Sequence, residues 1–157
     1  MTPRVRLLTL DDVPRLLELE TELFGAGAWS EWMVRDELTG AGRHYVGIAE
    51  DSADPARGTE LVAYAGTWSD GVDAQVMTIG VAKSHQGRGL GRALLGALLE
   101  HERARRTQHV FLEVRIDNER AIEMYERAGF ERLGVRRGYY QPENVDALTM
   151  RLELRGA

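Results

Sequence analysis

The 157-residue chain contains no cysteine, which removes disulfide bonds, thiolate metal sites and cysteine nucleophiles together. Long apolar runs are missing too. The stretch from Met1 to Leu10 carries Arg4 and Arg6 with no hydrophobic segment behind them, so neither a secretory signal nor a membrane-spanning helix is expected, and the cytoplasm is the expected compartment. There is no excess of positive charge: 20 basic residues against 25 acidic ones leave a formal charge of −5. That balance repels phosphate backbones and argues against direct nucleic-acid binding. An anionic small molecule would need a local basic pocket. His44, His85, His101 and His109 show no HExxH or other metal-ligand spacing, and no GxSxG elbow occurs; neither a metal nor a covalent mechanism is expected.

What is present fits one domain over residues 1–157, since length, 43% hydrophobic and 29% charged residues lie near the globular average. Arg4 to Leu8 alternates as a strand, and Thr9, Asp11 and Asp12 offer caps for a helix with apolar positions Val13, Leu16, Leu17, Leu23 and Phe24. Residues 25–29, Gly-Ala-Gly-Ala-Trp, break that helix at a corner with an exposed-looking tryptophan. Ser30 then opens a short helix stopped by Gly40 and Gly42. His44 to Ala49 and Glu60 to Trp68 read as a hairpin, followed by a strand from Ala74 to Val81 and a helix with Leu90, Ala93, Leu94, Ala97 and Leu98 on one face. Val110 to Val114, Glu131 to Val135 and Ala147 to Leu154 are further strands, with a helix from Asn118 to Ala128 closed by Gly129. This order predicts an α/β (α+β) fold with a mixed, mostly antiparallel sheet carrying one parallel join.

The most informative segment is Gln86-Gly-Arg-Gly-Leu-Gly91, between a strand and a helix. Gly87, Gly89 and Gly91 leave backbone N–H groups unshielded at a helix N-terminus, where the dipole favours an anion. Lys83 to Leu99 holds Lys83, Arg88 and Arg92 and no acid, which supplies a local basic pocket. The loop lacks the Gly-Lys-Ser/Thr ending of a Walker loop, and Arg92 stands where GxGxxG needs its last glycine. On the loop alone, a phosphate cradle and a plain glycine-rich connector both remain open.

Val81-Ala-Lys-Ser-His-Gln-Gly-Arg-Gly-Leu-Gly-Arg-Ala-Leu-Leu resembles the Gln/Arg-x-x-Gly-x-Gly/Ala motif of the GCN5-related N-acetyltransferases (GNAT), with Gln86, Gly89 and Gly91 at the defined positions. LEVRIDN (Leu112 to Asn118), AIEMYERAGF (Ala121 to Phe130) and RRGYYQPENVDALTM (Arg136 to Met150) continue the likeness and look like the RimI-type protein N-terminal alanine acetyltransferases. The resemblance implies the GNAT fold, a sheet of six or seven strands flanked by about four helices. It implies acetyl-CoA as cosubstrate and no metal. It further implies a loop of Gln86, Gly87, Arg88, Gly89, Leu90, Gly91 and Arg92 gripping the pyrophosphate, and a strand backbone at Ile79, Gly80 and Val81 pairing with the pantetheine arm as an added strand would. Asn118, by itself an ordinary helix N-cap, is implied to meet that arm as well. The implied acceptor is a protein N-terminus, the alanine of the small-subunit ribosomal protein numbered eighteen.

Acetyl transfer to an amine needs a neutral nucleophile, a polarised carbonyl and a proton for the departing thiolate. Glu113 is the acid within the apolar run Val110, Phe111, Leu112, Val114. It reads either as a solvent-facing strand residue or as a desolvated base, and the resemblance implies the base, acting directly or through water. Tyr125 shares a helix face with Ala121, Met124 and Ala128; it reads as a packed aromatic, and the resemblance implies a general acid. Trp29, Tyr139 and Tyr140 match positions that line the peptide entrance in the family, or are hydrophobic cover. Tyr139 and Tyr140 are expected in the last connection. Ala28 stands where the family usually has proline before the tryptophan. Glu18, Glu20, Glu22, Glu31, Asp36 and Glu37 form an acidic run that is either solvated or attractive to cationic termini. An α-amine of pKa about 7.8 is far easier to deprotonate than a lysine of about 10.4, a gap of roughly 3.5 kcal/mol. This favours N-terminal acceptors, with lysine, polyamine or drug-like amines, an acyl-CoA sensor and a nucleotide-binding loop as alternatives.

Overall fold

Three antiparallel pairings build the first half of the sheet. The computed structural model describes residues 3–154 and begins with β1 (Val5–Leu7), which pairs with β2 (Arg43–Asp51). β2 pairs with β3 (Thr59–Ser69), and β3 with β4 (Ala74–Val81). After β4 the chain crosses over to β5 (His109–Arg115), parallel to β4, and β7 (Val145–Glu153) inserts between β5 and β6 (Glu131–Tyr140). The sheet therefore has seven strands in the order β1-β2-β3-β4-β5-β7-β6, the mixed and mostly antiparallel arrangement expected. Its edges are the three-residue β1 and the exposed β6.

Four α-helices accompany the strands: α1 (Val13–Phe24), α2 (Glu31–Thr39), α3 (Leu90–Ala104) and α4 (Glu119–Arg127). Thr9 does not cap α1 directly. It caps a short 3-10 turn over Leu10–Asp12, where Thr9 Oγ1 accepts from the Asp11 N–H and the Asp12 carboxylate accepts from the Thr9 N–H, and α1 follows with Pro14 in its first turn. Ser30 caps α2 by accepting from the Met33 N–H, as its position suggests.

Side-chain contacts place the helices on opposite faces of the sheet. Tyr45 of β2 and Tyr64 of β3 point to Glu37 of α2 and Glu20 of α1, whereas His44 of β2 stacks on His101 of α3 and Thr67 of β3 donates to Glu102 of α3. The apolar core follows the same division, with Val13, Leu16 and Leu19 from α1 and Leu90, Leu94, Leu95, Leu98 and Leu99 from α3. Each leucine buried there is worth about 1.5–3 kcal/mol in transfer free energy. The buried face of α3 is turned relative to the expected one: Leu95 and Leu99 are buried, while Ala93 and Ala97 are partly exposed, because the helix packs against β2, β3 and β4 together. β6 also runs on to Tyr140, five residues past its expected end at Val135, because the hairpin with β7 stays paired as far as Tyr140↔Val145.

Candidate active site

A break in the sheet makes the site. β4 and β5 run parallel but pair only at Ala74↔Val110 and Gln75↔Phe111. One residue later β4 carries a bulge: Val76 faces Thr67 and Thr78 faces Gly66, leaving Met77 as the extra residue. A bulge bends its strand and re-aims the side chains, so β4 leaves β5 and the sheet opens. The resulting cleft of about 1150 Å³ is lined by β4 from Val76 to Ile79 and Val81, by Leu112 to Arg115 of β5, by the start of α3 and by one face of α4.

At one end lies the glycine loop. Gly87 (φ 79°) and Gly89 (φ 83°) are both left-handed, a conformation that costs other residues about 1–2 kcal/mol. Gln86 donates from Nε2 to the Val81 carbonyl at 3.0 Å, tying the loop to the end of β4. Gly89 is the N-cap of α3 and no side chain caps that helix, so the first-turn N–H groups are left for a ligand. Gln86, Gly87, Gly89, Leu90, Gly91 and Arg92 line the cleft. Arg88, expected with them, does not line the cleft; its guanidinium turns to Glu50 at 3.3 Å.

Ile79 and Val81 line the same wall, and beyond Gln75 their strand has no partner on the β5 side. Gly80 is buried and does not line the cleft. A Cβ there would lie 2.7 Å from the Tyr64 ring, so this glycine makes room for a tyrosine. Asn118 lines the cleft and caps α4 by accepting from the Ala121 N–H at 3.2 Å. That bond engages Oδ1, so both side-chain amide hydrogens stay outside it.

Glu113 and Tyr125 both border the middle of the cleft. Alternation along β5 buries Val110, Leu112 and Val114 and turns Glu113 to the other face. Its carboxylate is sheltered, with 13% side-chain exposure, yet the surroundings are polar where the apolar run suggested desolvation. Thr149, its cross-strand partner on β7, donates to Oε2 at 2.6 Å, and Arg136 of β6 donates to Oε1 at 3.2 Å. Tyr125 of α4 is buried, with its ring edge-on to Phe130 at 5.7 Å. Burial, and then the neighbouring Tyr140, push its phenol well above the ordinary value of 10.0.

The other end is aromatic. Trp29 lines the cleft and is half-buried, packed against the core, so it is not the exposed tryptophan of the corner; Trp32, at 73%, is exposed instead. Tyr139 and Tyr140 end β6 rather than lying in a connection. Tyr140 lines the cleft beneath the Arg115 guanidinium, and burial, with help from Tyr139 and Glu113, pushes its phenol up to about 12. Tyr139 points outward, 47% exposed under Arg136, and does not line the cleft. Strand alternation separates the two tyrosines.

Most of the acidic run is paired within the chain, while Glu18, Glu31 and Asp36 stay at the surface. Glu18 binds Arg15 and Arg57, Glu31 binds Arg35, Glu37 is buried against Arg43 and Tyr45, and Glu22 accepts from the Lys83 N–H. Glu20 is buried and borders the cleft; its spacing of seven from Val13 and four from Leu16, on the apolar face of α1, was the available signal. Met77, Thr78 and Arg120 also border the cleft and had no motif to mark them, and Arg115 and Glu143 join them from within the quoted motifs without having been singled out. Among the described residues, no group of three or more His, Asp or Glu side chains is placed to hold a metal. None of the described helices is long and apolar enough to cross a membrane.

The profile of the acetyltransferase (GNAT) family matches residues 11–130. The chain is 42% identical to the N-alpha-acetyltransferase RimI of Mycobacterium tuberculosis over 149 residues, 92% of this chain and 88% of that one. Among solved structures, the ribosomal-protein-S18-alanine N-acetyltransferase of Escherichia coli superposes with a TM-score of 0.84 at 29% identity, covering 98% of this chain and 95% of that one. The Arabidopsis thaliana NAA60 structure in complex with acetyl-CoA shares the fold, with a TM-score of 0.88 at 18% identity over 99% and 100% of the two chains.

Proposed function

Since the chain belongs to the GNAT acetyltransferase family, we propose that it transfers acetyl from acetyl-CoA directly to the α-amine of a protein N-terminal alanine, that of the small-subunit ribosomal protein numbered eighteen. The observation that carries this reading is the single cleft that runs from an uncapped, glycine-flanked helix N-terminus, past a carboxylate and a buried phenol, to an aromatic wall. An anionic cosubstrate and an amine acceptor then meet from opposite ends.

The residues fit the cosubstrate. Left-handed Gly87 and Gly89 and the free amides of Leu90, Gly91 and Arg92 suit a pyrophosphate, with the Arg92 guanidinium beside it. The unpartnered edge of β4 at Ile79 to Val81 offers backbone groups to the amides of a pantetheine arm, and Asn118 faces it from α4. When bound, acetyl-CoA supplies a thioester carbonyl open to attack by an amine.

Glu113 takes the proton that the acceptor ammonium must lose, directly or through a water molecule, and Thr149 and Arg136 orient its two oxygens for that task. The Tyr125 hydroxyl is protonated at neutral pH even at its ordinary value of 10.0, so it donates a hydrogen bond to the departing sulfur; burial raises its pKa and makes complete proton transfer harder. Trp29 and Tyr140 wall the acceptor's first residue, and Tyr139 with Arg136 forms the outer rim. The test compares acetyl-CoA turnover with a peptide beginning Ala-Arg and with the same peptide blocked at its N-terminus and carrying an internal lysine. Transfer to the free N-terminus alone is expected; transfer to the lysine, or to neither, overturns this acceptor.

A further inference from the structure

The corner that carries Trp29 has little to hold it. Gly25 to Gly27 form a short 3-10 turn, a side-chain carbon added at Gly25 or Gly27 would meet nothing within 4 Å, and Ala28 stands before the tryptophan. Yet the Trp29 side chain is half-buried at the aromatic end of the cleft. Its backbone N–H donates to Glu20 Oε1 at 2.9 Å. The second oxygen of Glu20 accepts from the Tyr64 hydroxyl. Glu20 is only 2% exposed, and among the described residues no cation lies within 4 Å of it. A buried carboxylate without a counter-ion is costly, and an apolar side chain would fill the place at less expense. Tyr64 is placed for this contact by Gly80, whose missing Cβ lets the ring lie across β4.

We propose that Glu20 is a positioning residue that fixes Trp29 as the acceptor wall, through the Trp29 N–H on one oxygen and Tyr64 on the other. This rests on the acceptor reading given above. The Tyr64 ring against Gly80 and its hydroxyl on Glu20 tie that wall to the strand along which the cosubstrate arm lies, so the wall keeps its place relative to the reacting thioester. The acceptor depends on it first, because the backbone group that Glu20 holds is the Trp29 N–H.

The test measures KM for the Ala-Arg peptide and for acetyl-CoA separately, with CoA binding followed by calorimetry, in Glu20→Met, Glu20→Gln and Tyr64→Phe. Glu20→Met keeps the volume and loses the acceptor for the Trp29 N–H. It is expected to raise the peptide KM about tenfold and to leave the acetyl-CoA KM, CoA affinity and kcat within about twofold. Glu20→Gln retains a carbonyl for that N–H and is expected to stay within about threefold of the wild type. Unchanged peptide KM in Glu20→Met, an equal rise in both KM values, or a Gln variant as impaired as the Met variant overturns the proposal. Should Glu20→Met fail to bind CoA, Tyr64→Phe decides: a peptide KM raised about threefold with acetyl-CoA KM unchanged is expected, and no change overturns it. Wild-type turnover of the peptide tests the acceptor reading by itself; if another amine is the true acceptor, the same KM ratio is read on that amine.

Discussion

At the glycine-loop end of the cleft, one contiguous stretch from Ile79 to Arg92 supplies backbone groups, whereas at the aromatic end side chains arrive from α1, the corner after it, β5, β6 and β7. The first end depends on local conformation: two left-handed glycines and an uncapped helix. The second depends on packing, since Glu113 is oriented by residues 23 and 36 positions away and Trp29 by one 9 away. Damage at the first end should therefore appear as lost cosubstrate affinity, and damage at the second as lost turnover or acceptor affinity.

A large effect is expected from Gly89→Val, because a β-branched residue cannot adopt φ 83° without strain. Displacing the amides that meet the pyrophosphate should weaken CoA binding about 100-fold, taking each charged hydrogen bond at roughly 1.5–3 kcal/mol; calorimetry checks it, and unaltered affinity would break the comparison at its first end. Glu113→Gln comes next. Loss of a general base should lower kcat by about 100-fold, with CoA affinity unchanged. Tyr125→Phe keeps the packing against Phe130 and should slow transfer by about tenfold or more in single-turnover measurements while the melting temperature holds.

Thr149→Val sharpens the second half of the comparison, because it touches nothing but the orientation of Glu113. A loss of about fivefold in kcat is expected, near 1 kcal/mol for one hydrogen bond, with both KM values steady. The smallest effect lies away from both ends, where His44 stacks on His101 at 3.5 Å. Burial, and then His101, hold the His44 pKa below its ordinary 6.5. The unfolded chain then binds the proton more readily, so the stability that His44 contributes is complete above pH 6.5 and is lost as the pH falls from there through its folded pKa. Thermal unfolding should show a lower melting temperature at pH 5.5 than at 7.5, and a flatter slope in His44→Gln. That slope separates pH effects on the fold from those on the rate.

The unevenness of what was legible follows the same division. β4 was readable to the residue because eight positions rich in Val, Met, Thr and Ile end at a glycine-rich turn. α4 was readable because Asn118 and Gly129 mark its limits. Tyr139 was misplaced because β6 is held to Tyr140 by a partner strand, and nothing in its own composition states where that pairing stops. The turn of Arg88 toward Glu50 on β2, 38 positions away, was not legible in the loop. Gly80 carried a motif-like position and a different duty, visible only once Tyr64 is laid across it.

By itself the sequence determined the elements and the glycine loop, because hydrophobic period, caps and left-handed glycines act over a few residues. The tertiary structure alone decided where the sheet splits, which acids stay free and what surrounds Glu113. Those outcomes depend on a bulge at Met77, on ion pairs across the chain and on hydrogen bonds between strands. Each brings together groups far apart in sequence, and no local pattern encodes which of several possible partners a charged or polar side chain will meet.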